Sequence, residues 1–60
     1  MMNNMQIASA QYNAFEGNNT SIRAIIDGQE LFVPLDPANR HYAEIMRQVE
    51  AGELVIQEAQ

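Results

Sequence analysis

The side chains that could support catalysis are few and lie far apart in this sequence. His41 is the only histidine, and a general base needs both a positioned partner and a substrate pocket. A Ser-His-acid triad would also need a nucleophile presented by another element. Ser9 and Ser21, however, fall in predicted strands without a nucleophile-elbow motif. We therefore interpret His41 as a boundary residue on the shoulder of a helix.

The other residue types that build active sites or metal sites do not gather into a motif. The acidic residues are dispersed and form no alternating oxygen-ligand loop of the calcium type. The chain has no cysteine, which excludes disulfides and thiolate zinc sites. Its three glycines are too widely spaced for a phosphate-binding loop. We predict a protein that is not an enzyme and that binds no cofactor or metal.

The charge balance narrows the class of partner. The net charge is −5, with three arginines and no lysine, so the chain lacks the cationic face that phosphate backbones or anionic lipids require. Its longest apolar run is three residues, far short of a bilayer span. We expect no nucleic-acid partner, no membrane attachment and, from the polar N-terminal residues, no signal peptide.

Chain length points to association. A 60-residue chain buries only about 60% of the surface that it exposes when unfolded. Folds of this size usually depend on disulfides, a metal or a partner surface. Because the first two are disfavoured here, we predict that the protein oligomerises or docks on another protein.

The elements that must position any functional side chain begin with an amphipathic helix, predicted over residues 36–52. Asp36 and Pro37 suit the first turn, and Gly52 suits a left-handed helix end. The apolar residues follow the spacing of one helix face and should form its core stripe. They are Tyr42, Ile45, Met46 and Val49.

A hairpin is predicted before the helix. Asp27-Gly28 lies between two β-prone runs and favours a two-residue type I′ turn. That turn predicts a register in which Ile26 pairs with Gln29, Ala24 with Leu31, and Ile22 with Val33. The opposite face then carries Arg23 beside Phe32 and Ile25 beside Glu30.

An N-terminal strand is predicted to extend this hairpin. A three-residue loop at Gly17-Asn18-Asn19 would pair Ala14 with Ile22 and Ala10 with Ile26, which places Ala10, Tyr12 and Ala14 on the helix-covered face. We thus predict an α+β fold: a three- to four-stranded antiparallel β-meander with one amphipathic helix packed on one face. Residues 5–57 would form a single domain after a flexible N-terminus, residues 1–4. Residues 54–56 would be either a short fourth strand or a frayed tail.

One helix covers only one face of such a sheet, so the opposite face remains open. Met5 and Ile7 would lie on this open face among polar neighbours, and exposed apolar patches of that kind often mark association sites. The alternative is that scattered apolar surface residues are normal. The predicted interaction face comprises Phe15, Arg23, Ile25, Glu30 and Phe32.

The segment from residue 25 to residue 42 resembles small proteins of tailed bacteriophages. The similarity lies in a strand that ends in Val33-Pro34, followed by the letters DPANRHY and an amphipathic helix closed by Ala51-Gly52. It covers residues 20–56. At the helix end, tail-fibre-associated relatives often carry a Trp and then an Asn after the glycine, where this chain has Gln48 and Glu53. The resemblance implies a phage origin and no catalytic residues.

These expectations combine into one leading hypothesis. The chain would be a non-enzymatic virion structural or assembly protein of a tailed phage, associated with the tail, neck or capsid. It would contact other virion proteins or copies of itself, in the virion or in the bacterial host cytoplasm during assembly. The alternative is a phage-encoded acidic inhibitor of a host protein, although the acids do not cluster as a phosphate mimic would require.

Overall fold

A three-stranded antiparallel sheet and one helix make up the structure, a computed structural model that describes residues 5–59. The strands β1 (Ile7–Phe15), β2 (Asn18–Ile26) and β3 (Gln29–Pro34) are followed by helix α1 (Arg40–Glu50). Strand order in the sheet is β1-β2-β3. The predicted α+β meander is therefore confirmed. The predicted flexible segment, residues 1–4, lies outside the described residues.

The β2–β3 hairpin has the predicted register. Ile26 pairs with Gln29, and the pairing continues to Ile22 with Val33 and Ser21 with Pro34. Asp27 and Gly28 have φ values of 51° and 83°, as a type I′ turn requires. Asp27 also binds the chain ahead of β1: its N–H donates to the Gln6 carbonyl at 2.8 Å, and its Oδ1 accepts from Gln6 N–H at 3.0 Å.

The β1–β2 hairpin differs from the prediction by two residues. The turn is Glu16-Gly17, with φ values of 53° and 84°, rather than the expected three-residue loop. This turn alone would shift the pairing by three residues, and an extra residue in β2, Thr20, reduces the shift to two, so that Tyr12 pairs with Ile22 and Ala10 with Ala24. Asn adopts a positive φ more readily than Glu does. The sequence therefore favoured a loop that includes the adjacent asparagines, Asn18 and Asn19. A shift of two residues keeps every side chain on its face, although Ala14 is exposed at the sheet end.

Two β-bulges adjust this hairpin. The register passes from Ile7–Ile26 directly to Ser9–Ile25, so Ala8 is an extra residue in β1. The bulge turns Ile7 and Met5 toward the core, where both pack against the buried cluster. Their predicted place on the open face was wrong, because uninterrupted alternation does not hold through a bulge. Thr20 is the second extra residue, in β2.

The core lies between α1 and the sheet face that the helix covers. Ile45 of α1 is fully buried there, and the other predicted stripe residues, Tyr42, Met46 and Val49, are partly buried against the same cluster. The buried residues are Ala10, Ile22, Ala24, Ile26, Val33 and Ile45.

Helix α1 begins later than predicted. Asn39, not Asp36, is the N-cap: its Oδ1 accepts from the N–H groups of His41 at 2.9 Å and Tyr42 at 3.1 Å. Asp36 instead closes a turn, accepting at Oδ1 from Ala38 N–H and at its carbonyl from Asn39 N–H. Both residues have capping chemistry, so local sequence does not distinguish them.

The two caps can be separated by mutation. Asn39→Ala removes both side-chain bonds to the first helical turn, and we expect a loss of about 1 to 2 kcal/mol in the free energy of unfolding. Asp36→Ala removes one bond in an exposed turn and should cost about 0.5 kcal/mol. Urea unfolding of the two variants measures the difference. The reverse order would mean that the helix begins at Asp36.

The helix ends as the sequence predicts for Gly52. This residue has a φ of 77°. Gly52 N–H donates to the Val49 carbonyl at 3.1 Å, and Glu53 N–H donates to the Gln48 carbonyl at 2.8 Å. These two bonds form a Schellman motif, which satisfies carbonyls that the helix itself leaves unpaired.

The C-terminal tail covers the outer edge of β1. Gln57 forms a parallel bridge at Gln11: its N–H donates to the Ala10 carbonyl, and its carbonyl accepts from Tyr12 N–H, both at 2.9 Å. Leu54 and Ile56 pack against the core. Residues 54–56 are therefore neither a fourth strand nor a frayed tail but an ordered segment that ends in a single bridge.

Candidate interaction surface

The sheet face opposite α1, here called the outer face, brings four of the predicted interaction residues together. Arg23 and Ile25 of β2 pair directly with Phe32 and Glu30 of β3. Because side chains alternate along each strand, all four project from the same side. The same I′ turn that specifies the hairpin register therefore also assembles this group.

Polar contacts hold Arg23 at the centre of the outer face. Its Nη2 donates to Gln11 Oε1 at 3.0 Å, and its Nε lies 3.7 Å from Glu30 Oε2. Both charged side chains are about half exposed, so the ion pair contributes at most about 1 kcal/mol. Asn13 Nδ2 also donates to Ser21 Oγ at 3.0 Å. These cross-strand contacts make the outer face an ordered polar surface.

Phe32 is the large apolar exception on that surface. Its side chain is 66% exposed, whereas Ile25 beside it is half-buried. An aromatic ring in water beside an arginine has the composition of a protein-binding hot spot, in which Trp, Tyr, Phe and Arg are enriched. We therefore take Phe32 as the centre of the candidate surface.

Phe15 lies away from this centre. It is 68% exposed and pairs with Asn18 at the turn end of the β1–β2 hairpin. Gln11 lies four residues before Phe15 in β1 and pairs with Arg23. Four residues of a strand span about 13 Å. Phe15 is therefore at the end of the sheet, outside the Arg23–Phe32 group.

Candidate catalytic and metal groups remain scattered in the fold. His41 is half-buried in the first turn of α1, where its backbone N–H donates to Asn39. Over residues 5–59, no three His, Asp or Glu side chains are grouped as metal ligands. The predicted absence of an active site is not tested by these positions.

A groove of about 560 Å³ runs between the start of β1 and helix α1 and is open to solvent. On the helix side it is lined by Glu44, Arg47 and Gln48. Arg47 donates to both carboxylate oxygens of Glu44, at 3.0 and 2.7 Å, and Gln48 Nε2 donates to Glu44 Oε2 at 2.8 Å. This network lies outside the predicted interaction face, although its i, i+3 and i, i+4 spacing is typical of paired helix side chains.

The hydrogen bonds from Arg47 and then Gln48 lower the pKa of Glu44 from 4.5 to about 2. A carboxyl group with a depressed folded-state pKa stabilises the fold above its unfolded-state pKa. That stabilisation is fully present above about pH 4.5 and is lost as the pH falls through about 2.

This pKa shift makes a prediction for acid unfolding. We expect an NMR titration to place the Glu44 carboxyl midpoint near pH 2, and Arg47→Gln to raise it toward 4.5. The wild-type chain should also lose more stability than Arg47→Gln between pH 4.5 and 2. Arg40→Gln, in the first turn of the same helix, is the control for the loss of a positive charge. Equal midpoints in wild type and Arg47→Gln would contradict the assignment.

Among the residues that the structure describes, no helix is long and apolar enough to cross a membrane. No family model, curated protein or solved structure matches this chain.

Proposed function

We propose that this chain is a non-enzymatic structural or assembly protein of a tailed phage that acts by protein–protein contact. The virion, or the bacterial host cytoplasm during assembly, would be its place of action. The phage origin rests on the resemblance of residues 20–56 described above. The contact role is supported mainly by one observation, the exposure of the Phe32 ring on the face that α1 leaves open.

The physical argument for contact starts from this exposed ring. Burying an exposed aromatic side chain against a partner removes apolar area from water and contributes about 1.5 to 3 kcal/mol. Arg23 and Glu30 flank the ring with charges of opposite sign, which supply orientation at the rim of an interface. The Gln11 hydrogen bond orders the Arg23 side chain in advance, which lowers the entropic cost of binding.

Chain size favours the same role. With no cysteine and six buried side chains in the core of the described residues, the free energy of unfolding should not exceed about 3 to 5 kcal/mol. A partner that binds only the folded chain adds to that stability by mass action. Repeated copies on a phage particle would supply such a partner.

The test is to place a charge on the outer face. In a phage that carries Phe32→Asp, we expect the purified protein to fold but to bind its virion partner about thirtyfold more weakly, as the loss of a hot spot of about 2 kcal/mol implies, and therefore to be depleted from purified particles. Quantitative mass spectrometry of the particles measures occupancy, and circular dichroism of the purified variant measures folding.

Val55→Asp is the matched control for this experiment. Val55 is 72% exposed and lies in the C-terminal tail near Gln11, so the substitution introduces the same charge and removes a smaller exposed apolar side chain at the β1 edge, two strands from Phe32. Its occupancy should equal that of wild type. Full occupancy of Phe32→Asp would show that this face is not the contact.

Mass spectrometry of purified particles also distinguishes the proposed structural role from the acidic-inhibitor alternative. A structural protein is present in purified virions at a fixed ratio to the other components. If the wild-type chain is absent from virions and instead purifies with a host enzyme, the acidic-inhibitor hypothesis replaces the proposal.

A further inference from the structure

The two edges of the sheet differ. The outer edge of β1 is bonded by the chain itself, through Gln57. The other edge is β3, whose one neighbouring strand within residues 5–59 is β2. An open edge presents backbone N–H and C=O groups that an added strand can pair.

The β2–β3 register identifies which groups point outward. A two-residue turn makes Ile26 and Gln29 a hydrogen-bonded pair, and such pairs alternate along an antiparallel ladder. Leu31 and Val33 therefore bond to β2, and Glu30 and Phe32 direct their N–H and C=O groups outward. Over residues 5–59, neither makes a backbone hydrogen bond to a segment outside the sheet.

We propose that a second copy of this chain pairs with the β3 edge. The two β3 strands would run antiparallel about a two-fold axis at Leu31 and join the sheets into one of six strands. This inference rests on the proposed contact function and names one partner for it. Both helices would lie on the same side of the joined sheet, which leaves the two outer faces continuous.

We compare three symmetric registers that align the outward N–H and C=O groups of the two β3 strands. Two of them bring unfavourable residues opposite each other, and one does not. Centring on Glu30 sets the two Glu30 carboxylates directly opposite each other, and like charges in that position destabilise. Centring on Phe32 sets Glu30 opposite Pro34, which has no N–H to donate. Centring on Leu31 sets Glu30 of each copy opposite Phe32 of the other and allows every hydrogen bond.

The Leu31-centred register also has complementary side chains. On the outer face, Arg23 pairs with Phe32 of the same copy, and Phe32 lies opposite Glu30 of the second copy. Glu30 of one copy therefore faces the Phe32 ring of the other rather than a second carboxylate, with the Arg23 cation on the strand behind that ring. On the helix side, the two half-buried Leu31 side chains face each other.

The first test is sedimentation equilibrium of the full chain at about 0.15 M salt, where a Debye length of about 8 Å screens the net charge of −5. We expect a concentration-dependent dimer. Phe32→Pro removes an outward N–H from each copy while leaving the β2 ladder intact, and it should weaken the dimer at least tenfold more than Phe32→Ala does. A monomer at every concentration up to about 1 mM, or equal dissociation constants for the two variants, overturns the proposal.

The second test reports the register. The chain has no cysteine, so Leu31→Cys introduces a single thiol that would lie opposite its mate at a Cα separation of about 4.5 Å, within disulfide range. Gln29→Cys is the control on the same strand and face. Its two thiols would be offset by four residues, about 13 Å, and out of range. A disulfide dimer of Leu31→Cys alone supports the proposal, whereas equal cross-linking, or cross-linking of Gln29→Cys alone, overturns it.

These outcomes are distinct from a failure of the proposed function. If the purified chain is monomeric but Phe32→Asp is lost from particles, the edge pairing is wrong and the outer-face contact stands. If the dimer forms but Phe32→Asp retains full occupancy, the contact on the particle is wrong and the edge pairing stands. If Leu31→Cys fails to fold, the sedimentation comparison of Phe32→Pro and Phe32→Ala still decides.

Discussion

Replacing Ile45 with alanine is expected to leave the chain largely unfolded at 25 °C. Ile45 is fully buried at the centre of the helix stripe, within the same cluster as Ile22 and Val33. Truncating such a residue removes apolar contacts and leaves a cavity, at a cost of about 2 to 5 kcal/mol. A domain of this size has only about 3 to 5 kcal/mol in total. Urea unfolding followed by far-ultraviolet circular dichroism measures the loss.

Two further substitutions show whether the effect comes from burial. Ile45→Val removes one methyl group and should cost about 0.5 to 1.5 kcal/mol. Val55→Ala shortens a side chain that is 72% exposed and should change stability by less than about 0.5 kcal/mol. If Ile45→Ala costs no more than Val55→Ala, α1 does not pack on the sheet as described.

Truncation after Glu53 should have the second largest effect, about 2 to 4 kcal/mol. It removes the half-buried side chains of Leu54 and Ile56, each worth about 1 kcal/mol when partly buried. It also removes both Gln57 hydrogen bonds to β1, at about 1 kcal/mol each. The shortened chain should melt at a lower temperature and aggregate more readily, because the β1 edge is then open as well.

A chain that ends at Glu58 is the matched control, because it retains the Gln57 bridge and a Glu58 backbone oxygen, there part of the terminal carboxylate, that can accept from Gln11 Nε2 as the carbonyl does at 3.1 Å in the full chain. It should melt within a few degrees of the full-length chain. Gln57→Pro isolates one bond, since proline has no N–H to donate to the Ala10 carbonyl. Equal melting temperatures for the two truncated chains would show that residues 54–58 do not stabilise the sheet.

Much of the β2–β3 hairpin could be predicted because its information is local. Asp27-Gly28 admits one common turn type, and that turn specifies every pair from Ile26–Gln29 onward. Four of the five candidate interaction residues lie on this hairpin, so their grouping followed from the same two turn residues. The helix end at Gly52 was predictable for the same reason, since a left-handed residue there is a local requirement.

The N-terminal half was harder to predict because its pattern allows several solutions. A slip of two residues between β1 and β2 leaves every side chain on the same face, so the alternation of Ala10 and Tyr12 cannot detect it. The bulge at Ala8 then reverses that alternation, which brings Ile7 to the core beside Ile26. The two predicted turns therefore placed the same side chains on the core face, but they did not specify the pairing of β1 with β2.

The sequence by itself determined the elements, the core face and the β2–β3 register of this protein, because those properties depend on neighbouring residues. Only the tertiary structure decided that Asn39 rather than Asp36 caps α1, that Phe15 lies away from Phe32, and that Gln57 covers the β1 edge. The cap and the place of Phe15 are choices between local alternatives of similar chemistry, and of the three only the Gln57 bridge is a contact between distant segments. Such contacts are set by how the helix and tail fit over the sheet, and that fit is a property of the whole packed core.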